Sequence, residues 1–360
     1  MKNIKKVAFA STAALLLTSS LVSAQTTVGG NMRIGLKANS SSGKAASDTV
    51  VTKETQINVG GAGNLNFGGG KYAAGFSIEY DGSDATFGAA QHFEANYINF
   101  IFGNTTFHAG SDTLKPTNVN LAEIVNGPMT IYHTAGGIGA TSTGTVGLAT
   151  ITNDVLTTAE KGDAKGFGFG AIQNIPGVGS ASIFYVPNAN NAIAQSDTAQ
   201  AALAGGGENS YVSMGLRLNQ LVKNFDAHIG YNVTDTQTPG QSAVAQDITN
   251  FTYGVKYTFG QFIGAIERTE NQYNSTGSDR TVTGLGLGYV VNKDLTVSYG
   301  IYRAKDSVAS AVDTEKSQGI TIGQSLGPVG LTITAAKVDS SAGVVGADGK
   351  AVHVQLGVVF

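Results

Sequence analysis

A two-residue alternation of apolar and polar side chains runs through this chain, and few folds can use it. It is plainest in FTYGVKYTF, where Phe251, Tyr253, Val255, Tyr257 and Phe259 alternate with Thr252, Gly254, Lys256 and Thr258. Successive side chains of a strand point to opposite faces, whereas a helix face repeats every 3.6 residues, so this segment reads as a strand with one apolar and one polar face. The same pattern sets Val28, Met32, Ile34 and Leu36 against Asn31, Arg33 and Lys37, and Tyr72, Ala74, Phe76, Ile78 and Tyr80 against Ser77 and Glu79. It returns with Met214 and Leu216 against Ser213 and Arg217, with Phe225, Ala227 and Ile229 against Asp226 and His228, and with Val352, Val354, Leu356 and Val358 against His353 and Gln355.

The first 24 residues differ from the rest. Lys2, Lys5 and Lys6 precede an apolar run from Val7 to Leu17, and Val22-Ser23-Ala24 supplies a small-residue cleavage site before Gln25. That order predicts a secretory signal peptide over 1–24, too short and too interrupted by Thr18, Ser19 and Ser20 to be a spanning helix. Beyond Gln25 no apolar run approaches the ~18 residues of a membrane helix. If the exported chain enters a membrane, it does so as a closed barrel, the other spanning form that satisfies its backbone. No Pro-rich or Ser-rich linker divides 25–360, which reads as one domain.

Composition narrows the classes. The 49 glycines follow no three-residue period and only 6 prolines are present, which removes collagen-like and Pro-rich disordered readings. The absence of cysteine removes disulfides, thiol nucleophiles and zinc-thiolate sites. The 22 Lys and Arg are outnumbered by 25 Asp and Glu, and three of the cations lie in the leader, so no basic stripe for nucleic acid exists.

Strands are expected at 26–38, 52–62, 70–80, 91–102, 105–111, 165–174, 179–187, 209–219, 224–234, 248–259, 261–270, 280–291, 294–304, 316–325, 329–338 and 351–360. Alternation alone does not say which face meets water, because a soluble sandwich shows the same pattern. The connections break the tie. Short joins, such as Gly103–Asn104, Gly260 and Gly327–Pro328, alternate with long ones, such as 39–51, 188–208 and 235–247. Outer-membrane barrels sort their loops in this way. The expectation is therefore an all-β transmembrane antiparallel barrel of about 16 strands. The segment 112–164 is far longer than an ordinary loop, and it is expected to fold into the lumen as a constriction loop; a surface loop with local strands near Thr141–Thr152 is the other reading.

In this architecture the chain resembles the general bacterial porins of Gram-negative outer membranes, along nearly all of 25–360. GNLNFGGGKYAAGFSIE, Gly63–Glu79, is similar to that family's second hairpin, and FGNTTFHAGS, Phe102–Ser111, to the turn and strand before its constriction loop. Ser111 stands where many relatives carry arginine, a departure that weakens direct transfer of their charged eyelet. The resemblance implies a homotrimer, and it implies that the terminal Phe360 is read by the barrel-insertion machinery.

Catalytic constellations are missing from the sequence. Gly166-x-Gly168-x-x-Ala171 superficially matches a dinucleotide fingerprint, but Phe167 and Phe169 make it an alternating strand. His92, His108, His133, His228 and His353 show no metal-ligand spacing, and no cofactor is expected. A passive pore needs a polar lining and charges that set its field. The candidates are Arg33, Lys37, Glu79, His108, Arg217, Asp226 and Lys256 on the wall, and Asp112, Glu123, Asp154 and Glu160 on the loop, with Glu123 facing cations such as Arg33. Net acidity points to a mild cation preference, and divalent cations at the acidic loops stay an open question. The expected partners are membrane lipid, small polar solutes and ions. The alternatives are an exported adhesive β-protein and a plugged barrel without channel activity.

Overall fold

The computed structural model describes residues 25–41, 48–83, 92–111, 167–186, 209–236, 248–273, 279–306, 314–339 and 348–360. Sixteen strands form in chain order: β1 Gln25–Ser41, β2 Asp48–Asn64, β3 Lys71–Ser83, β4 His92–Phe102, β5 Thr105–Ser111, β6 Phe167–Ile175, β7 Gly179–Val186 and β8 Asn209–Leu218. The second half comprises β9 Phe225–Thr236, β10 Ile248–Phe259, β11 Phe262–Tyr273, β12 Arg280–Val290, β13 Leu295–Asp306, β14 Glu315–Leu326, β15 Val329–Asp339 and β16 Gly349–Val359. Each strand pairs antiparallel with its sequence neighbours, and β1 pairs with β16, so the sheet is a closed barrel without free edges.

Every strand read from the alternation is present. The largest difference is length: β1 and β2 run on to Ser41 and back to Asp48. Asn39, Ser40 and Asp48 break the apolar alternation, but the backbone ladder does not need apolar side chains, and Ser40 pairs with Lys350. Tight turns close the short-join end. At the two-residue turn between β10 and β11, Gly260 takes φ 58°, a left-handed conformation that favours glycine.

The barrel is inside out relative to a soluble protein. Met32, Ile34, Leu36, Phe107, Ile183, Ile229, Leu285, Leu287, Ile320, Val354 and Leu356 are exposed on the outer face, whereas Ser182, Asp226, His228, Asn250, Glu267, Thr334 and His353 are buried on the inner one. An apolar exterior is costly in water and stable against lipid, and the polar groups then line the lumen. Sixteen strands enclose a lumen too wide for wall side chains alone to fill.

Candidate pore lining

The wall carries its charge as a strip across β8–β11. In β8, Arg217 donates from Nε to Asp226 Oδ1 at 2.9 Å and from Nη2 to Oδ2 at 2.6 Å. This two-point geometry fits the planar guanidinium to the carboxylate and fixes both. Lys256 Nζ, on β10, lies 3.8 Å from the same Asp226 Oδ2. The register explains the meeting: Asp226 pairs with Lys256, and Arg217 lies opposite His228, two residues along β9 on the same face.

One step toward the long loops, His228 Nε2 stands 3.3 Å from Glu267 Oε2 on β11. The two residues are on strands separated by β10, and Gly254 lies between them in register with both. A Cβ at Gly254 would stand 2.7 Å from His228 Cε1 and 2.8 Å from the Ile266 carbonyl oxygen, so glycine leaves the slot through which His228 reaches Glu267. Replacing Gly254 by Ala is expected to push His228 out of that slot and to lower stability by about 1–3 kcal/mol, the usual cost of overpacking. Urea unfolding in lipid vesicles measures it, and an unchanged midpoint would show that the slot is not tight.

Further along the strip the groups are neutral. Asn232 Nδ2 donates to Asn250 Oδ1 at 3.0 Å, Thr252 Oγ1 donates to the same oxygen at 3.1 Å, and Thr252 and Thr269 hydroxyls meet at 3.0 Å. Such a strip offers hydrogen bonds to a passing solute without an apolar barrier.

The other sequence candidates scatter over the ring. Arg33 is half-buried on β1, its side chain running across Gly357, where a Cβ would stand 3.5 Å from Arg33 Cγ. By strand count β1 lies opposite β9, so Arg33 and the Arg217–Asp226–Lys256 cluster occupy facing sides of the lumen. His108 is buried on β5, with Nδ1 2.6 Å from Asn99 Oδ1 and its ring flanked by Tyr97 and Phe184. Held by these neighbours, it belongs to the packed wall. Lys37 is in register with His353 and Glu79 with Gln56; their side chains lie outside the described ones, as do Asp112, Glu123, Asp154 and Glu160 altogether. Phe360 closes the ring, exchanging backbone hydrogen bonds with Gly30 at 2.9 and 3.0 Å.

Glu267 was not among the sequence candidates. Its inward neighbours Ile263 and Ala265 are apolar, so β11 lacks a clean polar face, and the only signal was its own charge. A converse point concerns Arg268 and Lys337: both sit on the outer face, so a charge within a strand does not by itself mark the lumen.

A closed sixteen-strand wall, apolar outside and charged inside, defines a transmembrane water-filled channel. The chain belongs to the Gram-negative porin family, whose model matches residues 10–358. It forms an outer-membrane channel for small solutes. Among solved structures it is similar to the anion-selective porin from Comamonas acidovorans, at 15% identity and TM-score 0.66 over 94% of this chain and 100% of that one. Substituted forms of the Rh. blastica porin are also similar, at 16% identity with TM-scores of 0.55 and 0.57 over 93% of this chain and 100% of theirs. A search of curated proteins returns no match.

Proposed function

We propose that the channel passes small hydrophilic solutes and ions passively, with a transverse field between wall cations and an inward-folded segment 112–164 setting its selectivity. The observation that carries this reading is the Arg217–Asp226–Lys256 strip on one side of the lumen with Arg33 on the other. The segment leaves β5 at Ser111 and rejoins at Phe167, beside the inward Phe184 and Val186, an apolar pad on which such a segment can seat. Glu123 then faces the Arg33 side, with Asp112, Asp154 and Glu160 adding to the negative wall of the constriction.

Among the described inward-facing residues, the charges of Arg33, Arg217 and Lys256 are offset by those of Asp226, Glu267 and Glu315. The loop acids tip the sum toward a mild cation preference. Barrels of one fold differ in sign because the side chains at the constriction, not the fold, set the local field. The test is single-channel conductance in a planar bilayer with a salt gradient. Stable open steps with a cation-selective reversal potential support the reading; a silent bilayer with folded protein inserted would favour a plugged barrel. Replacing Glu123 by Gln is expected to lower the cation-to-anion permeability ratio by about fourfold, because one unit charge at ~10 Å in water shifts each sign about twofold in opposite directions. Unchanged conductance and selectivity would remove Glu123 from the constriction.

The assembled form in this reading is a homotrimer in the outer membrane, reached after cleavage of 1–24, with Phe360 and its alternating strand as the feature recognised during insertion. Mass spectrometry of the purified protein, giving an N-terminus at Gln25 or at Met1, separates a cleaved leader from a retained one.

A further inference from the structure

We propose that the His228–Glu267 pair is a proton-operated switch of the pore's selectivity: one proton taken up by the pair moves the wall strip from charge balance to net positive and turns the channel toward anions. The switch presupposes the channel reading above. The charges involved are close neighbours. Arg217 on β8 stands directly opposite His228, Asp226 lies two residues along β9, Lys256 is on β10 and Glu267 on β11. Gly254 and Gly284, the flanking residues in register with the pair, carry no charge. Among the described residues these are the titratable and charged groups that face His228. With a neutral imidazole the two cations offset the two carboxylates, and one further proton brings the strip to +1.

Geometry makes this pair the place for that proton. His228 Nε2 stands 3.3 Å from Glu267 Oε2, beyond the ~2.7–2.9 Å of a charge-assisted hydrogen bond. Among the described residues neither ring nitrogen of His228 has a hydrogen-bond partner. Protonation supplies both the missing donor and the charge that draws the carboxylate oxygen in, so imidazole and carboxylate take up the proton as one unit. The slot at Gly254 leaves the space between them free of a side chain. His108, by contrast, is held by a neutral amide, with Nδ1 2.6 Å from Asn99 Oδ1.

Burial and exposure are divided within the strip in the way a switch needs. The side chains of His228 and Glu267 keep only 3% and 10% of their surface, so the proton is held inside the wall. Arg217 and Lys256 keep 29% and 23%, so the strip still borders lumen water. A permeating ion therefore feels the change through the field of the strip without touching the pair. One unit charge at ~10 Å in water shifts the permeation of each sign about twofold in opposite directions, which changes the cation-to-anion permeability ratio about fourfold. Low salt preserves the effect, because the Debye length then exceeds that distance.

The test is the reversal potential of the full protein in a planar bilayer under a dilute potassium chloride gradient, read from about pH 8 to about pH 5.5. Imidazoles change charge in that window, and ordinary carboxylates, which titrate near ~4, do not. The parent's cation-to-anion permeability ratio is expected to fall about fourfold as the pH is lowered. His228→Gln is expected to hold the parent's alkaline ratio throughout. Glu267→Gln, which removes the negative charge of the pair, is expected to show the parent's acidic ratio already at about pH 8. A flat ratio in the parent overturns the proposal, and so does a His228→Gln channel that titrates as the parent does, since other groups then carry the effect. If His228→Gln does not insert, Glu267→Gln decides alone, and an unchanged ratio at about pH 8 overturns the switch. A bilayer silent at every pH overturns the channel reading and the switch with it, whereas an open channel with a flat ratio overturns the switch only.

Discussion

Replacing Val354 by Arg is expected to cost about 2–4 kcal/mol of folding stability in phospholipid vesicles, while Arg at the next residue, Gln355, costs less than about 1 kcal/mol. The two positions differ in face and in little else. Val354 points outward, in register with Leu36 and Ile333, in the middle of the apolar band. A cation there must either leave the hydrocarbon or draw water and headgroups into it. Gln355 points into the lumen, flanked in register by Gly35 and Thr332, whose small side chains leave room for a longer one. Its charge stays hydrated, and its signature is a shift of the reversal potential toward anions. Reversible urea unfolding measures the first effect and the salt-gradient bilayer the second. Similar costs at both positions would mean that the outer face does not meet lipid.

Asp226→Asn is expected to raise the anion-to-cation permeability ratio about fourfold at low salt. Removing one unit charge at ~10 Å changes the energy of a passing ion by roughly 0.4 kcal/mol in water. That is about twofold for each sign, in opposite directions, and the effect shrinks as the Debye length falls below that distance. The same substitution leaves Arg217 and Lys256 as two neighbouring cations without the carboxylate between them. It also removes the charge from two short hydrogen bonds, a loss of about 1–3 kcal/mol, at the lower end because Arg217 keeps 29% of its side-chain surface exposed to lumen water. Lower stability with unchanged selectivity would place the cluster away from the path of the ions. Restoring stability by the further change Arg217→Gln, with selectivity returning toward the parent, would tie both effects to the same pair.

The strands and their faces were legible because alternation is a local property. FTYGVKYTF can expose only one apolar face as a strand, and it does so in β10, with Tyr253, Val255 and Tyr257 outward. The order of short and long connections likewise survived into the ring, since hairpins between neighbours need no distant information. Arg33, Arg217, Asp226 and Lys256 were placed on the lumen side by parity alone. His108 was too, but parity did not foretell that Asn99, Tyr97 and Phe184 would enclose it. Arg268, Arg303 and Lys337 lie on the other parity, where the alternation continues past the apolar band and places cations on the outer face.

By itself the sequence determined that this chain makes sixteen two-faced strands joined by turns and loops of alternating length, because a period of two and a glycine at a tight turn act within a few residues. Tertiary structure decided which side chains meet. Arg217, Asp226 and Lys256 lie on three strands, and His228 reaches Glu267 across Gly254 only in the register adopted, since a slip of one residue would turn each of them to the opposite face. Closure was decided there as well: the pairing of β1 with β16, from Asn31 opposite Val359 to Ser41 opposite Gly349, joins the two ends of the chain and turns a sheet into a pore. A side chain's own neighbours in sequence carry no record of that long-range pairing, because the backbone hydrogen bonds that fix it are the same for every residue.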